Sequence, residues 1–179
     1  MKTTTEKVKE FHELFEHPIG ESPICVEPLK IRQLRIKLLF EELRELAVAG
    51  DVQETFGNLC VDVLNEEFDH DDEGYKDGDN VDKVEELDAI TDIQYVLDGK
   101  KLTSGLHTVT EAAFDMVHLN NMLKAHRSHE HAEETIKKKN DGDGYVTEER
   151  NGRIMLFNSS GKLTKPWDHK KVDLLTLFV

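Results

Sequence analysis

Five leucines at helical spacing, Leu34, Leu38, Leu39, Leu43 and Leu46, surround three glutamates, Glu41, Glu42 and Glu45, in one stretch of this 179-residue chain. Recurrence every three and four residues predicts a helix with one apolar face turned to a core. Glu42 falls on that face, because Leu38, Leu39 and Leu46 are its neighbours one turn away; Glu41 and Glu45 stand one turn apart beside it. Carboxylates crowded at the edge of an apolar surface repel one another and resist desolvation, so they need protons or a cation.

A second acidic helix answers the first. Val84, Leu87, Ile90, Ile93 and Leu97 repeat at three and four, and Asp88 and Asp92, four apart, border that stripe. Two such helices can face each other and surround a divalent cation with oxygen ligands only. Neither cluster includes His or Cys, so ligand hardness points to magnesium, with manganese as the alternative, rather than zinc.

Further motifs accompany these helices: Phe11-His12, Arg35 ahead of the acidic cluster, Val117-His118-x-x-Asn121-Met122-x-Lys124, and Gly161-Lys162-x-x-Lys165-Pro166. Together with Glu41-Glu42-x-x-Glu45 they resemble the all-α nucleoside-triphosphate pyrophosphohydrolases, the superfamily of MazG, phosphoribosyl-ATP pyrophosphohydrolase and the dimeric dUTPases. The MazG-like branch is the most similar, and the resemblance covers most of the chain outside residues 54–82. Two positions depart from the pattern. Aligned on Tyr95-Val96, the second-helix aspartate is Asp92, but Ala89 stands three before it; either Asp88 takes that place or the register is Glu85-x-x-Asp88. Leu119 follows the histidine where similar sequences often carry arginine.

The resemblance implies cleavage of a nucleoside triphosphate between its α- and β-phosphates, which requires screened charge, a positioned water and a proton acceptor. Glu42, Glu45, Asp88 and Asp92 are the expected metal ligands, with Glu85 in reserve. Glu41, adjacent but offset from the ligand face, is the candidate to orient or deprotonate the water. The resemblance assigns Lys124 to phosphate and Asn121 to sugar or base. His118, one turn earlier, is either a packing histidine or a substrate contact. Arg35 and Lys165 are weaker phosphate candidates; either reads equally as a surface cation, which is the favoured reading for Lys165. The same resemblance implies a homodimer or higher homo-oligomer, with helices of both subunits enclosing each site.

Composition agrees with this class. Apolar residues make up 37% and charged residues 34%, a thin core for a monomer, and the net charge of −14 excludes a basic footprint for duplex nucleic acid. Cys25 and Cys60 form no Cys-x-x-Cys and read as reduced thiols of a cytoplasmic protein. No stretch approaches the roughly 20 apolar residues that span a bilayer, so neither secretion nor a membrane is expected.

Along the chain, helices are expected at 6–16, 29–49, 52–68, 81–98 and 108–125, the fourth ending at Gly99 and the fifth opened by a Thr108-x-x-Glu111 capping box. Residues 69–80 read as an acidic, solvated insertion loop and 130–139 as a charged helix. Asn140 to Glu149 imitates a calcium loop, but its register would place Lys139 and Arg150 at the end ligands. A β-hairpin around Asn151-Gly152, pairing 145–149 with 153–158, is favoured instead. His126, His129 and His131 have no acidic partner at metal-ligand spacing and read as a solvated helix end. The tail, 171–178, is a short apolar element. The expected fold is all-α, a MazG-like helical bundle with a small C-terminal β-hairpin extension. Residues 1–128 form its pyrophosphohydrolase core, and 129–179 pack on it as the extension. The competing class is a non-catalytic helical protein that binds calcium or a partner; a di-iron bundle would need Glu-x-x-His pairs that the facing helices lack.

Overall fold

The computed structural model describes residues 2–23, 25–66 and 81–178, with backbone alone at 63–66. The expected acidic loop at 69–80 lies outside them. Among the described residues are six α-helices and one hairpin: α1 (Thr4–Phe15), α2 (Leu29–Ala49), α3 (Gln53–Glu66), α4 (Lys83–Thr103), α5 (Thr110–Met122), α6 (His129–Lys139), β1 (Val146–Arg150) and β2 (Arg153–Phe157), with 3-10 turns at Leu106–Thr108 and Leu174–Phe178. The all-α fold with its small terminal hairpin is therefore the one expected. The chain divides into two compact units, 20–89 and the remainder, and the division falls inside α4.

In the unit formed by 1–19 and 90–179, the hairpin organises the core. Asn151 and Gly152 both take left-handed backbone (φ 49° and 70°), which a two-residue type I′ turn requires, and Val146 pairs with Phe157 and Arg150 with Arg153. Alternation along β2 then sends side chains two ways. Met155 joins Phe15, Ala125, Phe11 and Leu163, while Ile154 and Leu156 join Ala132, Ile136 and Tyr145. The turn also closes the end of α1. Arg150 Nη1 donates to Phe15 O and Asn151 Nδ2 to Glu13 O, both at 2.7 Å, adding donors to the last-turn carbonyls that a helix C-terminus leaves short of intrahelical partners.

The N-terminus of α1 is a capping box, Thr3 with Glu6. The helix packs along α5 through polar pairs that hydrophobic periodicity did not mark. The ammonium of Lys7 is buried against Asp115 and lies 5.8 Å from the Phe114 ring centroid.

In the unit 20–89, α2 and α3 form a helical hairpin turned at Gly50 and Asp51 (φ 54° at Asp51) and joined by Phe40 and Phe56, whose ring centroids are 5.4 Å apart. Lys83 opens α4 with ion pairs to Glu27 at 3.0 Å and Glu86 at 2.6 Å.

Three local expectations are corrected. α4 runs past Gly99 to Thr103, because an interior glycine costs only about 1 kcal/mol and does not by itself stop a helix. The stop falls at Gly105, in left-handed conformation. Thr108 does not cap α5: its hydroxyl donates to Gly105 O within the preceding turn, and Val109 is the N-cap. Finally, the leucine face of α2 is not turned to a core within one copy. Leu34, Leu38, Leu39, Leu43 and Leu46 are all at least 40% exposed, and on α4 Val84, Leu87, Ile90 and Ile93 are at least half exposed.

Candidate active site

α2 continues unbroken from its start behind Pro28 to Ala49, so Glu41, Glu42 and Glu45 are held on consecutive turns of one rigid element, all exposed. Glu41 pairs with Lys37 at 3.8 Å, one turn earlier; both side chains are solvated, so the pair constrains the carboxylate little. On α4, Glu85, Asp88 and Asp92 are likewise exposed. Each set is bordered by the exposed apolar residues of its own helix. Among the described residues, no three His, Cys, Asp or Glu side chains of one copy come together as a metal site. The donor set nevertheless fits a hard divalent cation in kind, since every candidate ligand is a carboxylate.

The α5 candidates stand differently. His118 Nε2 lies 3.3 Å from Glu10 Oε2 with the ring mostly buried against α1, so in this structure it joins two helices. Lys124 places its ammonium 5.8 Å from the centroid of the Phe11 ring, and Asn121 is half-buried one turn before it. The Phe11 and Lys124 motifs, 113 residues apart in sequence, thus meet in one place. Arg35 and Lys165 are exposed.

The histidines after α5 are not a solvated helix end. His126 is fully buried, and its backbone pairs with Ile154 on β2. His131 Nε2 is 3.0 Å from Asp168 Oδ1, an acidic partner 37 residues away that local spacing could not reveal. Only His129 is exposed. Arg127 Nη2 donates to the other oxygen of Asp168 at 2.7 Å.

An all-α core whose two longest helices each carry grouped carboxylates defines the class of the all-α nucleotide pyrophosphohydrolases. The phosphoribosyl-ATP pyrophosphohydrolase family model matches residues 8–121, and the chain belongs to that family, within the MazG-like superfamily. The match runs from α1 into the last turn of α5 and includes every expected carboxylate. It stops before α6 and the hairpin. The family acts as a pyrophosphohydrolase on a nucleotide-like substrate. No curated protein and no solved structure matches the chain. No helix among the described residues is long and apolar enough to cross a membrane.

Proposed function

We propose that this chain is a magnesium-dependent nucleoside-triphosphate pyrophosphohydrolase, converting an NTP or dNTP to the monophosphate and pyrophosphate in the sanitation of the nucleotide pool. The observation that carries the reading is the placement of Glu41, Glu42 and Glu45 on α2 and of Asp88 and Asp92 on α4, exposed and bordered by exposed apolar faces, inside the family-matched span.

Glu42, Glu45, Asp88 and Asp92 would hold the cation, with Glu85 available in the alternative register. Bound there, magnesium supplies charge screening for the phosphates and acidifies a water. Manganese is the alternative cation. Glu41 accepts the proton of the attacking water; the new bond forms at the α-phosphorus, and the bridging oxygen leaves with pyrophosphate. Lys124 draws a phosphate oxygen, Asn121 addresses the sugar or base, and Arg35 and Lys165 add positive charge. His118, engaged with Glu10, positions α5 against α1 rather than meeting substrate.

Homo-oligomerisation belongs to the same reading. Leucine and isoleucine faces of this extent are unfavourable in water at about 25 cal/mol per Å², and a second copy of the same helices would cover them while bringing further carboxylates to each site.

The test is pyrophosphate release from a panel of ribo- and deoxyribonucleoside triphosphates with magnesium and then manganese, alongside Glu42→Gln. Turnover of one or a few nucleotides that disappears in the variant supports the assignment. Inert wild-type protein on every nucleotide with both metals overturns it.

A further inference from the structure

A cavity of about 290 Å³ lies at the end of α5, lined mostly by residues beyond the family-matched span. Its charge is opposite to that of the chain. Arg127, Arg153 and Lys170 line it against a single carboxylate, Asp168, in a protein of net charge −14. Asp168 is already committed, to Arg127 at 2.7 Å and to His131 at 3.0 Å, so it fixes these two groups. Arg153 and Lys170 have no ion-pair partner among the described residues.

The hydrogen bonds also define what the cavity lacks. The backbone N–H of Arg127 points to His131 Nδ1 at 3.4 Å, which leaves the ring proton on Nε2 for Asp168. His169 Nε2 donates to Asn120 O at 3.1 Å. Both imidazoles are thus held by the walls, and Arg127, fixed by Asp168, lines the space together with the exposed Arg153 and Lys170 against one offsetting charge. Leu123, Ala125 and Pro166 supply an apolar floor. Cationic forks above a small apolar surface suit a phosphate attached to a compact organic body. The volume falls near the lower end of ligand pockets, roughly 300 Å³.

We propose that this cavity is a second, metal-independent anion site that binds a phosphate-bearing small molecule through Arg127, Arg153 and Lys170. None of its lining residues belongs to α2 or α4, and it does not depend on the activity proposed for them. The shared chemistry, a phosphate group, has two sources: a nucleotide, or free phosphate or pyrophosphate.

Trp167, the chain's single tryptophan, sits between two residues that line the cavity, with Lys138 Nζ 3.2 Å from its ring centroid. The full-length protein would be titrated in EDTA with inorganic phosphate, pyrophosphate, AMP and ATP at constant ionic strength, followed by calorimetry and by Trp167 fluorescence. Saturable binding is expected for at least one probe. It should weaken about tenfold or more in Arg153→Glu, an exposed hairpin position, and persist unchanged in Glu42→Gln. Tighter AMP or ATP than pyrophosphate assigns a nucleotide, and the reverse order assigns the free anion. No saturable binding by any probe, binding indifferent to Arg153→Glu, or binding lost in Glu42→Gln would overturn the proposal. An inert enzyme that still binds phosphate here would sink the hydrolase reading alone.

Discussion

Thr135 Oγ1 lies 3.1 Å from His126 Nε2, and both side chains are fully buried. The hydroxyl has one proton, which it donates to His131 O at 3.0 Å, so it accepts from His126 and also from the backbone N–H of Trp167 at 3.2 Å. His126 therefore carries its proton on Nε2. Its Nδ1 is a buried acceptor with no hydrogen-bond partner among the described residues. One hydroxyl joins α6, the residues after α5 and the 164–169 segment.

Thr135→Val keeps the shape of that hydroxyl site and removes its hydrogen bonds. The buried donor His126 Nε2–H and the part-buried Trp167 N–H lose their acceptor, at about 1–3 kcal/mol for a buried group. Urea denaturation should show a loss of at least about 2 kcal/mol, with an unchanged m-value. An exposed substitution on the same helix, Glu133→Ala, should move stability by less than about 0.5 kcal/mol.

Acid should destabilise the same region. Burial, reinforced by the neighbouring His131, pushes His126 down to about 4 from an ordinary 6.5. The unfolded chain then binds the proton more readily than the folded one, so the stabilisation is complete above pH 6.5 and is lost as pH falls toward 4. The full effect is on the order of 3 kcal/mol. Burial alone would raise the Asp168 carboxyl, but His131 and Arg127 outweigh it and hold it below the usual range. Its contribution is present above the ordinary carboxylate pKa and is lost at still lower pH, in the same direction. Denaturation midpoints between pH 7.5 and 4.5 should fall, and His126→Gln, less stable at pH 7.5, should show a flatter profile over that interval.

How far the sequence could be read depended on the range of each interaction. Asn151-Gly152 announced its own turn because the required positive φ is a property of those two residues. Leucine spacing marked α2 correctly as a helix, yet it could not say what covers the apolar face, because a second chain and a core leave the same pattern. Pairs such as Lys7 with Asp115 and His131 with Asp168 carry no local signature: each joins segments far apart in sequence, and a basic or histidine-rich stretch alone reads as solvated. The one clue to the cationic cavity was the run Lys165 to Lys171 after the hairpin, which contains Asp168 and follows Arg153. The carboxylates on α2 and α4 could be named from the sequence, whereas their placement could not: among the described residues they do not come together as a metal site.

The exposed apolar faces give a sharp separation between stability and assembly. Leu43 is 53% exposed in one copy, so Leu43→Glu should change the stability of an isolated chain by less than about 0.5 kcal/mol. If α2 forms the self-association surface, a charge there must be buried or the surface abandoned. Sedimentation equilibrium is expected to shift the variant toward monomer, with pyrophosphate release falling in parallel. A wild-type protein that is monomeric at tens of micromolar would contradict the oligomer.

Glu41 and Glu42 are adjacent on α2 but point about 100° apart around the helix, so their proposed roles are separable by kinetics. Glu41→Gln retains size and hydrogen bonding and removes the proton acceptor. kcat should fall about 100- to 10,000-fold, with the magnesium concentration for half-maximal activity little changed. Glu42→Gln removes a charged ligand instead. Its main effect should be a rise in that magnesium requirement, about tenfold or more for the loss of a charge-assisted contact, with partial recovery at high metal. Raising the pH supplies hydroxide directly, so it should narrow the gap between Glu41→Gln and wild type while leaving the Glu42→Gln deficit in place. If both variants respond alike to metal and to pH, the division of labour between the two side chains is wrong and both act as ligands.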